Sequence, residues 1–97
     1  MRHRYIVTYD IADPRRLRRV FKRMKAYGEP LQLSVFRCDL NDVQRVSMIG
    51  DLRRLINQRE DKVMIVDLGP TDGSARQSIT FLGIHAPDDG LPVTIIV

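Results

Sequence analysis

Three short stretches of this chain, Tyr5-Ile6-Val7, Val63-Met64-Ile65-Val66 and Thr94-Ile95-Ile96-Val97, do not alternate apolar and polar residues. A strand with one wet face alternates, so runs of this kind mark strands covered on both faces. The chain has only 97 residues, enough for one domain and one small core. Two helices can cover one face of a small sheet, and a second copy of the chain is the simplest cover for the other. Short, centrally buried strands in a monomer would carry the same pattern.

The elements follow from local signals. Arg4–Ile11 is rich in β-branched and aromatic residues and reads as a strand ending near Asp10. Asp13-Pro14 then opens a helix, with Asp13 as N-cap and Pro14 at the first helical position, where its missing N–H costs nothing. Leu17, Val20, Phe21, Met24 and Tyr27 form its apolar stripe, and Gly28 reads as the C-terminal stop. Leu31–Asp39 is a second strand. Asn41 and Gln44 form a capping pair for a second helix, whose expected buried side is Val46, Ile49, Leu52 and Ile56. Gly50 weakens that helix by about 1 kcal/mol relative to Ala. Lys62–Gly69, Ser78–Gly83 and Val93–Val97 complete the strands, with a turn-rich link from Gly69 to Arg76 and a polar break at Pro87–Gly90.

Counted this way the order is β-α-β-α-β-β. A ferredoxin-like βαββαβ unit needs a further strand inside 31–39. That segment either bends into two strands, Leu31–Phe36 and a remnant near Arg37–Leu40, or is a hairpin with a very short second arm.

Composition narrows the function classes. At 43% hydrophobic and 29% charged the chain is neither disordered nor fibrous. One cysteine, Cys38, excludes an internal disulfide and any multi-thiolate zinc site within one chain. No uncharged stretch approaches the roughly 20 apolar residues that span a bilayer, and no secretory pattern opens the sequence. A cytoplasmic protein without membrane partners is expected.

Charge is concentrated. Seven of sixteen cations (Arg15, Arg16, Arg18, Arg19, Lys22, Arg23 and Lys25) fall within eleven residues, opposite the apolar stripe of the first helix, with no acid between 14 and 28. Like charges at i,i+3 and i,i+4 repel, so a polyanion is the expected counter-charge, although a solvated basic face is the ordinary fate of such a run. Thirteen of the sixteen are arginine, whose planar fork suits phosphate oxygens. Asp10 lies where a strand runs into a helix. Alone it is a weak Mg²⁺ ligand or a plain turn residue, but two copies related by a dyad would hold a metal that polarises a phosphate. His3 and His85 lack ligand-spaced partners and read as structural.

Tyr9-Asp10-Ile11, Arg15-Arg16, Tyr27-Gly28 and Gln32-Leu33-Ser34-Val35-Phe36 together resemble the signature of the small CRISPR-associated Cas2 proteins of spacer acquisition. The resemblance is closest over the first forty residues. It implies an α+β, ferredoxin-like single domain over 1–97 that forms a homodimer with its sheets face to face. A C-terminal strand at about 92–97 would join the partner's sheet. It implies partnership with the Cas1 integrase and, in members described as endonucleases, metal-dependent cleavage of RNA or DNA with Mg²⁺, or Mn²⁺ in its place. Carried over singly, Asp10 is the metal ligand and catalytic residue and Tyr9 its catalytic neighbour. Arg15, Arg16 and Arg19 contact phosphate, and Ser34 and Phe36 shape the cleft near the dimer axis.

Two departures stand out. Many members carry an arginine two residues before the glutamine and a glutamate after the phenylalanine, where this chain has Pro30 and Arg37. Arg37 either takes over the phosphate contact missing at Pro30 or marks a member without nuclease activity. A non-catalytic scaffold bridging integrase subunits is therefore the alternative to the nuclease. A ferredoxin-like RNA-binding module is disfavoured, because such modules stack bases on exposed sheet aromatics and these strands read as buried.

Overall fold

The computed structural model describes residues 1–73, 78–83 and the backbone of 94–96. Eight elements follow in order: β1 (His3–Asp10), α1 (Pro14–Met24), β2 (Glu29–Gln32), β3 (Val35–Leu40), α2 (Asp42–Leu55), β4 (Lys62–Pro70), β5 (Thr80–Leu82) and β6 (Thr94–Ile96). The first four strands form one antiparallel sheet in the order β2-β3-β1-β4. With a helix after β1 and another after β3, this is the ferredoxin-like βαββαβ arrangement.

The missing strand is a hairpin. Leu31–Asp39 is not one strand: β2 and β3 meet at a turn through Leu33 and Ser34, and the short arm is the first. The end of β1 pins that turn, since the Tyr9 N–H donates to the Ser34 carbonyl at 3.2 Å and the Tyr9 hydroxyl to the Leu33 carbonyl at 2.9 Å. The sequence hides such a turn because neither Gly nor Asn marks it.

Both helix starts are as the caps predict. Asp13 accepts from the N–H groups of Arg15 and Arg16 at 2.7 and 3.1 Å, and Asn41 and Gln44 form a complete capping box. The first helix stops earlier than expected, at Met24, and a turn carries the chain to Gly28. Gly28 has no left-handed backbone. Its requirement is proximity: a Cβ there would lie 2.2 Å from the Arg37 carbonyl oxygen and 2.6 Å from the Cys38 Sγ.

The core lies between helices and sheet. Tyr5, Val7 and Tyr9 of β1 and Phe36, Cys38 and Leu40 of β3 face Val20 and Met24 of α1 and Met48 and Leu52 of α2. The buried side of α2 differs from the stripe expected. Val46 is 66% exposed, and Met48, one helical turn before Leu52, takes its place. In β4, Val63 and Ile65 pack against the core, while Met64 and Val66 on the alternate face are 56% and 38% exposed.

The described part of the C-terminal strand, β6, runs parallel to β5 of the same chain. Its flanks at Val93 and Val97, the Pro87–Gly90 break and His85 lie outside the described residues. Among the described residues no helix is long and apolar enough to cross a membrane.

Candidate metal and nucleic-acid site

Strand alternation separates the two residues expected to act together. Tyr9 points into the core and is 6% exposed, so Asp10 emerges on the face turned away from the helices, exposed at the end of β1. Among the described residues the Asp10 carboxylate has no ion pair or side-chain hydrogen bond, whereas the Tyr9 hydroxyl is committed to the Leu33 carbonyl. Burial pushes the Tyr9 phenol up to about 12, which suits a donor to backbone and not an acid near neutrality.

Sequence reasoning overlooked two residues beside Asp10. Lys62 is its direct partner in the β1–β4 ladder and is exposed, which puts an ammonium within cross-strand reach of the carboxylate. Asp61, one residue earlier, has a side chain with no exposed surface. It accepts from the Ala12 N–H at 2.9 Å, the Asn57 N–H at 2.7 Å and the Arg16 guanidinium at 2.9 and 3.1 Å. The Arg16 fork and the two backbone donors hold its carboxyl well below the usual carboxylate range. Nothing local in the sequence marks this pairing, since 45 residues separate Arg16 from Asp61.

The basic helix is less uniform than its sequence. Arg16 is spent on Asp61 and Glu60 and does not reach solvent as the other arginines do, because its position in the first turn faces the α2–β4 connection. Arg23 lies 3.8 Å from Asp51, and Lys25 sits over the Phe21 ring at 4.9 Å. The fold thus supplies counter-charges that no residue between 14 and 28 could. Arg15, Arg18, Arg19 and Lys22 remain exposed without an ion pair among the described residues. Arg19, Lys22 and Arg23 line an open groove of about 430 Å³ with Ala26 and Leu55.

Arg37 and Phe36 are placed elsewhere. Phe36 is fully buried, edge-on to Phe21 and stacked with Tyr9, so it builds core and not a cleft wall. Arg37 is 6% exposed, donates to Glu29 at 2.9 Å and lies opposite Ile6, about 13 Å along the strand from the level of Asp10. Arg4, also buried, makes a two-pronged pair with Asp39 on the same face. Ser34 contributes its carbonyl to the turn beside Tyr9. His3 sits 3.0 Å from both Asp67 oxygens, a structural pair.

Among the described residues no three His, Cys, Asp or Glu side chains cluster to hold a metal. Mg²⁺ is commonly bound by one or two carboxylates together with water and phosphate oxygens, so an exposed, unpaired Asp10 fits such an ion as one protein ligand.

The profile of the family described as CRISPR associated protein Cas2 matches residues 1–75. The chain is similar to the CRISPR-associated endoribonuclease Cas2 1 of Rhodospirillum rubrum, 51% identical over 70 residues that make up 72% of this chain and 69% of that one. It is also similar to the CRISPR-associated endoribonuclease Cas2 2 of Thermodesulfovibrio yellowstonii, 39% identical over 91% of this chain and 93% of that one. Its backbone is similar to the crystal structure of Streptococcus pyogenes Cas2 at pH 6.5, with a TM-score of 0.65 and 32% identity over 68% of this chain and 86% of that one.

Proposed function

The chain belongs to the Cas2 family of CRISPR-associated proteins, and from that premise we propose that it is a metal-dependent phosphodiesterase of RNA or DNA that works as a homodimer beside the Cas1 integrase. The observation that carries the reading is the exposed carboxylate of Asp10 at the end of a central strand, unpaired among the described residues, on a connection tied down by a hydrogen bond from the Ala12 N–H to Asp61. Relatives named as endoribonucleases support the activity, and Met64 and Val66, left exposed on the face that Asp10 shares, support a partner sheet there.

In this reading Asp10 from each copy would provide a carboxylate to Mg²⁺ or Mn²⁺. Bound there, the ion supplies Lewis acidity toward a non-bridging phosphate oxygen. Lys62 adds positive charge beside the same phosphate, and Arg15 and Arg19 hold the backbone on either side. Water forms the new P–O bond, the bridging P–O bond breaks, and the leaving oxygen takes up a proton. Tyr9 holds the Ser34 turn against the strand that presents Asp10 and touches no substrate.

The experiment is cleavage of single-stranded RNA and duplex DNA by purified protein with Mg²⁺, with EDTA, and as Asp10→Asn. Cleavage that needs the metal and falls by at least 100-fold in Asp10→Asn is expected; cleavage indifferent to the substitution overturns the assignment. The exposed cations of α1 favour a second reading, a non-catalytic scaffold lying along DNA and joining integrase subunits. It predicts spacer acquisition that survives Asp10→Asn and is lost when Arg15 and Arg19 are reversed.

A further inference from the structure

The Asp61 side chain has no exposed surface and accepts from donors in two separate stretches of chain, at Ala12 and Arg16 and at Asn57. Its Oδ1 receives the Ala12 N–H and Arg16 Nη2, and its Oδ2 receives the Asn57 N–H and Arg16 Nε. Arg16 Nη2 extends the network to Glu60 at 3.0 Å. Ala12 is two residues beyond Asp10, and Asp61 is one residue before Lys62, the partner of Asp10 across the ladder. The network therefore ties the chain just beyond Asp10 to the start of the strand that pairs with it.

A buried ion pair is a poor way to gain stability, since well-packed apolar residues commonly do as well. What an apolar pair cannot supply is a directed hydrogen bond to the Ala12 N–H, which sets the direction in which β1 leaves the sheet. We propose that Asp61 and Arg16 are positioning residues that hold Asp10 in the geometry a divalent cation requires, while neither touches the cation. The proposal rests on the reading of Asp10 as a metal ligand. Groups that orient a ligand without binding the metal typically change its affinity or activity by about 10- to 100-fold.

The test uses full-length ¹⁵N-labelled protein titrated with Mn²⁺, reading paramagnetic broadening of the amides of residues 10–13 and hydrogen exchange at Ala12, alongside kcat and KM. In Asp61→Asn, the Mn²⁺ concentration for half broadening should rise about 10- to 100-fold, with faster exchange at Ala12. The value of kcat at fixed metal should fall in step, while KM for the nucleic acid holds. Arg16→Lys, which keeps the charge but loses the fork, should lie between, and it serves if Asp61→Asn does not fold. Broadening that depends on Asp10 but is unchanged in folded Asp61→Asn and Arg16→Lys overturns the clamp and leaves the Asp10 reading standing. Broadening that is the same in Asp10→Asn overturns that reading and the clamp's role with it.

Discussion

Replacing Gly28 by Ala and Gly50 by Ala should move stability in opposite directions, although both exchanges add one methyl group. At Gly28 the new Cβ would meet the Arg37 carbonyl oxygen at 2.2 Å and the Cys38 Sγ at 2.6 Å. Real Cβ atoms essentially never approach a neighbour within 3.0 Å, so the carbonyl would have to recede by about 0.8 Å. It belongs to β3, which is paired to β2 on one side and β1 on the other, so retreat strains one ladder or the other. Overpacking of this kind costs about 1–3 kcal/mol, and the smaller entropy of the unfolded alanine chain returns only about 0.4–1 kcal/mol. The mid-range net loss of about 1.3 kcal/mol corresponds to a Tm lower by roughly 5–10 °C in a domain of this size. At Gly50, inside α2, the nearest atom is the tip of Arg54 at 3.7 Å, so alanine fits and its helix preference should raise stability by up to about 1 kcal/mol. Thermal and urea unfolding at one protein concentration would measure both, the concentration held fixed because any self-association would make Tm depend on it. A Gly28→Ala protein that melts within 1 °C of the parent, or above it, refutes the packing argument.

Other outcomes follow from the same structure. Burial, and after it the charge of Asp39, pushes the Cys38 thiol up to about 12 from 9.0, and burial raises the Tyr9 phenol to about 12 from 10.0. Both groups keep their protons in the folded state where the unfolded chain has lost them, so stability should be full below pH 9 and fall as pH rises from there toward 12; a flat denaturation midpoint between pH 9 and 11 would contradict this. Reversing Arg15 and Arg19 to Glu should weaken duplex DNA binding and flatten its salt dependence by about 0.9 for each phosphate that is no longer neutralised, whereas Arg37→Gln, a change at a buried side chain, should leave the slope unaltered. Met64→Lys or Val66→Lys should dissociate a sheet-to-sheet dimer in sedimentation, and an unchanged sedimentation coefficient in both would place the dimer interface elsewhere. Phe36→Ala should cost about 3–5 kcal/mol in urea unfolding, and a loss under 1 kcal/mol would contradict its place at the centre of the core.

The local signals were legible wherever the physics is local. The Asp13 and Asn41 caps start both helices and Asp10 ends the first strand, because capping and strand propensity act over a few residues. The hairpin of β2 and β3 was legible only as a choice between a bend and a turn, since what holds it is Tyr9, more than twenty residues earlier.

By itself, then, the sequence determined a small basic α+β chain, its helix starts, its acidic strand end and its family likeness. Only the tertiary structure decided which charges are available and why Gly28 must be glycine. Arg16 and Arg37 read like their neighbours in sequence, yet one is paired with Asp61 and the other is buried beside Glu29, while Arg15 and Arg19 remain in solvent. The reason is that a guanidinium's partner is set by which strands and helices meet, and those meetings join residues far apart along the chain.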